Sequence, residues 1–493
     1  REAMSAFGDD RVLIERYLVR SRHVEVQIFG DTHGNIIHLF ERECSLQRRH
    51  QKVVEEAPAP GISEDIRSTM GAAAVAVGRA IDYVGAGTIE FIFDGMSGLD
   101  VSPFFFMEMN TRIQVEHPVT EMITGLDLVE WQLLVAAGRP LPATQEQITT
   151  SGHAIEARIY AENPTMRFLP SPGRLSHLQL PVENAHVRVD AGVVAGDVIT
   201  SHYDPLIAKL VVWDEDRVEA VHRLSGALTD FHAIGLQTNR DFLLKISNHH
   251  AFKQADLDTG FIERHLKELL PDSDPASDRI LALAALAVLK GRRTKLGRTR
   301  NHDKDPYSPW QQNTSWQLNT PSVETLVFID PMREQTAARI SVSVQHNKSS
   351  DFTYDLHLPC GSLPASGEFT AAGVLVANLD GACTNIAVYP AGDELWIVDE
   401  SGQTHCLMFD DPAVSVTAAD ILDTNVIAPL PGKISNLYVG KGARVKKGEL
   451  LVVIEAMKME HTVMAPADGI IRAIHYSMGD LVDEGATLLD LDG

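Results

Sequence analysis

The sequence predicts a multidomain α+β protein. A large sheet-and-helix block comes first, then a small antiparallel β-barrel with a helix, then a flattened, pseudo-symmetric β-sandwich. Three observations carry this. At 493 residues the chain exceeds what one core usually organises. Strand-like runs alternate with helical ones from Arg11 to about Leu270, whereas short β-type runs dominate the rest. Finally, Val426–Glu455 slides without a gap onto Val463–Asp492, with Gly432, Gly442 and Gly448 falling on Gly469, Gly479 and Gly485.

In the first block, RVLIERYLV, HVEVQIFG, TIEFIFD and FFFMEMN read as strands, and SEDIRSTMGAAAVAVGRAIDYVG as a helix. FMEMNTRIQVEHPV ends its strand in Glu108 and Asn110, and an extended continuation places Arg112, Gln114 and Glu116 on one face. GTIEFIFD presents Glu90 on the partner strand of a hairpin, joined through a longer loop than two short strands need. Two carboxylates and an amide are hard oxygen ligands of the kind magnesium takes when it also bridges phosphates. Taken singly, the same residues read as solvated strand-end acids. ECSLQRRHQKVVEE gathers Arg48, Arg49, His50 and Lys52, either as an anion site or as a solvated basic loop. Arg158 reads equally as an ordinary strand arginine paired with Glu156.

Pro271–Asp278, PDSDPASD, breaks the pattern with proline and acids. The apolar run Ile280–Leu289 reads as a buried helix beginning near Ser277, about half the length a bilayer span needs. RISVSVQ, DFTYDLHL, GVLVANL, NIAVYP and ELWIVD, separated by LDG, PAGD and ESGQ, are short antiparallel strands of a small barrel. Asp410–Asp423 has no period and reads as a linker, able to span at most roughly 45 to 50 Å. The expected division is therefore 1–270, 271–409, a linker 410–423, and 424–493.

With 43 Lys+Arg against 67 Asp+Glu, the net charge of −24 argues against nucleic acid or an anionic membrane as partner. Cys44, Cys360, Cys383 and Cys406 are too widely spaced to suggest a zinc site or a disulfide framework, so a reducing compartment is the default. The chain begins at Arg1 without a methionine, in what reads as a polar helix end. An N-terminal part is expected to be missing, and no targeting signal is legible.

EAMKMEH, Glu455–His461, joins the two repeated halves and sets Lys458 between Met457 and Met459 on the expected turn. A solvated turn lysine is common, but flexible apolar methionines exposed at a tip fit that reading poorly. The motif in this setting closely resembles the biotin carboxyl carrier domain. Lipoyl domains share that fold but commonly carry Asp-Lys-Ala around their lysine. The resemblance implies covalent biotin on Lys458, attached by a biotin protein ligase.

ERYL, RHVEVQ, ECSLQRRHQKVVEE, FMEMNTRIQVEHPV and EARIYAEN together resemble the biotin carboxylase subunit of the ATP-grasp family, from about Arg11 to Leu270. This implies roles residue by residue. Glu15 and Leu18 belong to the hinge that meets adenine, and His23, Gln47 and His50 line ATP. Glu90, Glu108 and Asn110 hold Mg2+ or Mn2+ and phosphate oxygens. Lys52, Arg112, Gln114 and Val115 hold bicarbonate, Glu116 is its general base, and Arg158 stabilises the enolate form of biotin. An arginine fork suits planar bicarbonate in a way a lysine cannot. The implied reaction runs in two stages: bicarbonate attacks the γ-phosphate of ATP to give carboxyphosphate, which delivers carbon dioxide to a biotin nitrogen. The glycine-rich phosphate loop and upstream lysines of that family are not in the sequence, so the fragment as given is expected to be inactive or badly crippled.

The middle block is too short for the α/β barrel of about 250 residues expected of a carboxyltransferase. The resemblance therefore implies an α subunit of an acyl-CoA carboxylase, in a hetero-oligomer with a separate carboxyltransferase β subunit, and with the middle block serving assembly. IGLQTNRDFLLKISNHHAF and DPYSPW are most like the α subunits that serve 3-methylcrotonyl-CoA in leucine degradation. Propionyl-, geranyl- and acetyl-CoA carboxylase α subunits stand as alternatives. A non-catalytic biotin or lipoyl carrier protein is the rival from another class. The expected compartment is the cytoplasm in a bacterium and the mitochondrial matrix in a eukaryote.

Overall fold

The computed structural model describes residues 4, 9–12, 14, 17–95, 103–200, 202–270, 276–298, 323–330, 339–346, 354–370, 373–410, 425–429, 431–456, 459–483 and 485–492. An eight-stranded antiparallel sheet dominates the first block. Its strands are β1 (Ser21–Gly30), β2 (Ile36–Arg48), β3 (Gln51–Ala57), β4 (Gly85–Asp94), β5 (Phe104–Asn110), β6 (His153–Tyr160), β7 (Val187–Ala191) and β8 (Leu206–Asp214), in the order β7-β8-β6-β3-β2-β1-β4-β5.

Helices cover this sheet. Helix α1 (Glu64–Ala80) starts at Ser63, whose hydroxyl accepts from the Ile66 amide, and carries Glu64 and Asp65 in its first turn. Met70 and Ala74 of α1 pack against Val24, Val26 and Ile28 of β1. A Cβ on Gly71 would lie 2.6 Å from the His38 ring, so the helix needs glycine there to come this close. Helix α2 (His117–Thr124) seats Val119 and Ile123 on Ala57, Ala154 and Val211. Helix α4 (Arg217–Asp230) follows the short α3 (Leu128–Ala136) and packs Val221, Leu224 and Leu228 over Ile155, Leu210 and Val212. Charged side chains on the inner strands are consequently shut away from water.

Two sequence expectations fail in this block. Among the described residues of Arg11–Val19 there is no strand, and Val12, Ile14, Tyr17 and Val19 stand exposed because no neighbouring strand offers them a ladder. The chain after Asn110 is not extended either. It turns at once so that Glu116 can serve as the N-cap of α2.

Helix α5 (Asp278–Arg298) and eight strands form the middle block: β9 (Val323–Ile329), β10 (Arg339–His346), β11 (Tyr354–Leu358), β12 (Gly361–Phe369), β13 (Val374–Leu379), β14 (Ala382–Ala391), β15 (Glu394–Val398) and β16 (Thr404–Asp410). The strands run up and down and close into a barrel through β9 and β16, with Phe328 opposite Phe409. Ile280–Ala287 of α5 are buried on every side and share one core with Leu326, Val342, Leu356, Leu375, Ile386, Ile397 and Leu407. A helix apolar all round is a helix with no solvent face. The expected barrel and buried helix are both present. Strands β9, β12 and β16 were not foreseen.

The last block consists of two four-stranded sheets. Its strands are β17 (Asn425–Ile427), β18 (Gly432–Leu437), β19 (Arg444–Val445), β20 (Leu450–Ala456), β21 (Met459–Met464), β22 (Gly469–Ile474), β23 (Leu481–Val482) and β24 (Thr487–Asp492). One sheet has the order β17-β24-β22-β19 and the other β21-β20-β18-β23. The repeat is reproduced bond for bond: Ile434 pairs with Ile454 as Ile471 pairs with Leu491, and each pairing carries a bulge at the same place. The amide of Gly442 donates to the carbonyl of Ile471, and that of Gly479 to Ile434, so each half closes over the other. Asp410, expected to open the linker, instead ends β16, and the rest of the expected linker, 411–423, lies outside the described residues, as do Met457 and Lys458.

Candidate active site

The site is built on rungs of the large sheet. Register places Glu108 opposite Glu90, Glu90 opposite Glu25, and Glu25 opposite Arg42, so one row of directly opposed residues crosses β5, β4, β1 and β2 on a single face. A second rung pairs Glu55 of β3 with Glu156 of β6, and a third sets Arg158 opposite Lys209. The strand ends carry this face into a cavity of about 650 Å³.

Leu18, His23, Gln47, His50, Lys52, Glu90, Glu108, Asn110, Arg112, Gln114, Val115, Glu116 and Arg158 all line that cavity. These are the residues that the sequence singled out there, with one exception. Glu15 lies outside the described residues. The basic cluster, by contrast, is split. Lys52 and His50 face the cavity, whereas Arg48 turns away to bond Glu162 at 2.7 Å and to stack over the Phe168 ring at 4.1 Å. Exposed Arg49 does not line the cavity either. A hairpin tip with positive φ at Arg49 and His50 sends neighbouring side chains in different directions.

Lys52 is the hub. Its ammonium lies 2.7 Å from Glu25, 3.2 Å from Glu90 and 2.5 Å from Glu116. Burial works against its charge, yet Glu25, Glu116 and Glu90 outweigh burial and hold its pKa well above the usual lysine value. The carboxyl of Glu25 is driven up by burial and pulled down harder by Lys52 and Arg42, to about 2. Glu90 is likewise held well below the carboxylate range: His23 and Lys52 oppose its burial, and Gln114 and Asn110 donate to the same Oε1. Glu116 is clamped, with Oε1 on Lys52 and Oε2 2.9 Å from Nη2 of Arg158. Arg158 also pairs with buried Glu55, whose carboxyl burial raises to about 7 despite that arginine.

Three of these groups escaped the sequence reading: Glu25, Arg42 and Glu55. Glu156, the alternative partner for Arg158, stands opposite Glu55 instead, and Arg158 forms its ion pairs with Glu55 and Glu116. Arg42 is fully buried and donates to Glu25, Gln27, Thr120 and Gln114, which fixes Gln114 from behind. Lys209 donates to the carbonyl of Val115 at 3.0 Å and so holds the turn beside Glu116. A charged residue inside a predicted strand was the available signal, as in HVEVQ and AIEARIY.

The donor chemistry fits a hard divalent cation: Glu90 and Glu108 share a face, Asn110 follows two residues along the same strand, and all three donors are oxygen. Lys52, Arg112 and Arg158 place three cationic side chains on the same walls.

Residues 1–144 match the model of the carbamoyl-phosphate synthase L chain ATP-binding domain, residues 156–264 that of the biotin carboxylase C-terminal domain, and residues 424–491 that of biotin-requiring enzymes. The methylcrotonoyl-CoA carboxylase subunit alpha of Dictyostelium discoideum is 43% identical over 99% of this chain and 69% of its own length. The corresponding subunit of Rattus norvegicus is 40% identical over 100% and 68%. The chain belongs to the α subunits of biotin-dependent acyl-CoA carboxylases. The propionyl-CoA carboxylase alpha chain of Ruegeria pomeroyi is also similar to this α subunit, at 36% identity over 97% of the chain and 71% of the relative.

Among solved structures, the biotin carboxylase domain of a thermophilic 2-oxoglutarate carboxylase bound to bicarbonate is 42% identical. It superposes with a TM-score of 0.52, covering 55% of this α subunit and 59% of that chain. The domain dimer from Hydrogenobacter thermophilus, in complex with MgADP and bicarbonate, matches with 42% identity and the same score, over 56% and 59%. The family carboxylates biotin at the expense of ATP, and its cofactors are biotin, ATP and a divalent metal. Several of the eukaryotic relatives are named as mitochondrial, and among the described residues no helix is long and apolar enough to cross a membrane.

Proposed function

We propose that this chain carboxylates biotin carried on its own Lys458 and that it is the α subunit of a 3-methylcrotonyl-CoA carboxylase, working with a separate carboxyltransferase β subunit. The observation that carries the reading is the clamp on Glu116, a carboxylate held between Lys52 and Arg158 on the wall of a cavity that also presents Arg112, Gln114 and Val115.

Placement supports each role. Arg112 has an exposed guanidinium at the cavity wall and receives bicarbonate, with Gln114 and the Val115 backbone beside it. Glu116 accepts the bicarbonate proton, and the neighbouring Lys52 stabilises the anion that results. Arg158 carries a permanent charge and faces the oxygen that becomes negative when biotin loses its proton. Glu90, Glu108 and Asn110 would hold a divalent metal, which when bound neutralises phosphate charge. Leu18, with Glu15 as its expected companion, meets adenine, and His23, Gln47 and His50 line the nucleotide. Lys458 receives its biotin from a biotin protein ligase.

The choice of 3-methylcrotonyl-CoA over propionyl-CoA is supported by relatives at 39 to 43% identity that carry the methylcrotonoyl name, against 36% for those that carry the propionyl name. The compartment follows the source, cytoplasm in a bacterium and mitochondrial matrix in a eukaryote. The test is Glu116→Gln in the holoenzyme. Bicarbonate-dependent ATP hydrolysis is expected to fall about 100- to 10,000-fold with nucleotide affinity retained. Undiminished hydrolysis would remove Glu116 as the base.

A further inference from the structure

The barrel meets the carboxylase body through contacts that lead straight to the strand presenting Arg158. Strand β3 runs beside β6 only from Ala154 to Ala157. Beyond that point, fully buried Asn239 takes the neighbour's place. Its Nδ2 donates to the carbonyl of Arg158 at 2.9 Å, and its Oδ1 accepts from the amide of Tyr160 at 2.8 Å. Its own amide donates to the carbonyl of Tyr160 at 3.1 Å. Three bonds from one residue therefore hold the end of β6, where Arg158 and Tyr160 enter the cavity.

The next two residues grip the barrel. Arg240, only 3% exposed, bonds the carbonyl of Gly402 and the hydroxyl of Thr404, at the turn between β15 and β16. Asp241 accepts from the amide of Thr404 at 3.0 Å and pairs with Arg240 at 2.9 Å. Gly402 has φ of +82°, and a Cβ there would lie 2.8 Å from Thr229, so the turn is fitted closely to the carboxylase. Around this point Tyr389 stacks on His177 at 4.4 Å and bonds His232 at 2.8 Å, and Ile234, Trp396 and Cys406 form a small buried core. Buried charge, close fit and an apolar centre make this a joint with one preferred seating.

We infer that Arg240 is a positioning residue, which ties the seating of the barrel, through Asn239, to the placement of Arg158. The inference rests on the proposed role of Arg158 in biotin carboxylation and extends it. Whatever loads the barrel, including a partner subunit, then acts on the placement of Arg158 and, through its bond to Glu116, on bicarbonate activation as well. Arg240 and Thr404 do not line the cavity, and Asn239, the residue next to Arg240, makes the bonds to Arg158 and Tyr160 of β6.

The test uses Arg240→Met on one side of the joint and Thr404→Val on the other, with Thr404→Ser as the conservative control, all in the complete holoenzyme. Free biotin serves as acceptor, so that travel of the carrier does not enter the rate. A misplacement of Arg158 is expected to lower kcat for free-biotin carboxylation by about ten- to a hundred-fold in the first two variants. KM for ATP should hold, bicarbonate-dependent ATP hydrolysis should fall along with the carboxylation rate because Arg158 also holds Glu116, and Thr404→Ser should keep the wild-type rate. Hydrogen exchange at the Tyr160 amide should quicken in both variants. Unchanged exchange at Tyr160 overturns the inference whatever the catalytic rates, as does an undiminished rate of free-biotin carboxylation in both variants. Quickened exchange in an enzyme whose wild type shows no bicarbonate-dependent turnover upholds the joint and instead defeats the functional reading on which its catalytic consequence rests.

Discussion

The ammonium of Lys52 lies 2.5 Å from Oε1 of Glu116, and the same nitrogen also reaches Glu25 and Glu90. One cation thus holds together three largely buried carboxylates from three separate segments, at the point where the proposed chemistry starts. Removing it would leave like charges crowded in a poorly solvated space. Lys52→Met is expected to destabilise the carboxylase block by about 3 to 5 kcal/mol. The shift of its urea transition measures this, and a shift under about 1 kcal/mol would mean that water replaces the ammonium.

Glu56 should contribute to the acid branch of stability alongside Glu25 and Glu90. Its Oε2 lies 2.6 Å from both His153 and Arg217, and Oε1 accepts a second bond from Arg217 at 3.0 Å. Burial raises this carboxyl, but Arg217 and His153 overcome burial and bring it to about 2. A folded-state pKa below the unfolded one gives stability that is complete above about pH 4.5 and drains away as pH falls through about 2. Arg217→Met should therefore be much less stable than wild type at pH 7 and should lose less on acidification. Parallel pH profiles for the two proteins would rule this out.

Lys458 is expected to be the sole biotinylated residue. Coexpression with a biotin ligase should give a chain that binds avidin, and Lys458→Arg should abolish that binding. Intact mass separates biotin from lipoate and from bare lysine, and avidin binding that survives in the variant would sink the assignment.

The barrel with α5 is expected to hold the β subunit. Replacing Ser277–Phe409 by a flexible segment should abolish co-purification of the β chain. Because Arg240 and Asp241 also lose their partners, free-biotin carboxylation should fall in the same protein. A β chain retained with full affinity would reduce the block to a spacer.

Acyl-CoA choice is checked on the assembled holoenzyme with a panel of 3-methylcrotonyl-, propionyl-, geranyl- and acetyl-CoA. The 3-methylcrotonyl thioester should give the highest kcat/KM, and preference for propionyl-CoA would transfer the assignment to that enzyme.

Much of this protein is written locally. The repeat of Val426–Glu455 in Val463–Asp492 determines the sandwich, because matched glycines dictate matched turns, and the two sheets follow with the same register. Asp380-Gly381 forces a tight hairpin in the barrel, both residues having positive φ. Thirteen cavity-lining residues could be picked out because they sit in long motifs that resemble those of biotin carboxylases. What the sequence could not decide is which face of a strand is wet. In HVEVQIF the polar residues alternate with the apolar ones, as on any half-exposed strand, yet all of β1 is buried. Only the stacking of helices and the turn at Glu116 over that face converts Glu25, Arg42, Glu55 and Glu156 from solvated charges into a buried network. The same holds for β12, whose Pro364 and glycines argue against a strand in isolation. Closure of the barrel gives that segment partners on both sides, Leu356 opposite Leu363 and Leu375 opposite Phe369, and the gain in pairing outweighs its weak intrinsic preference.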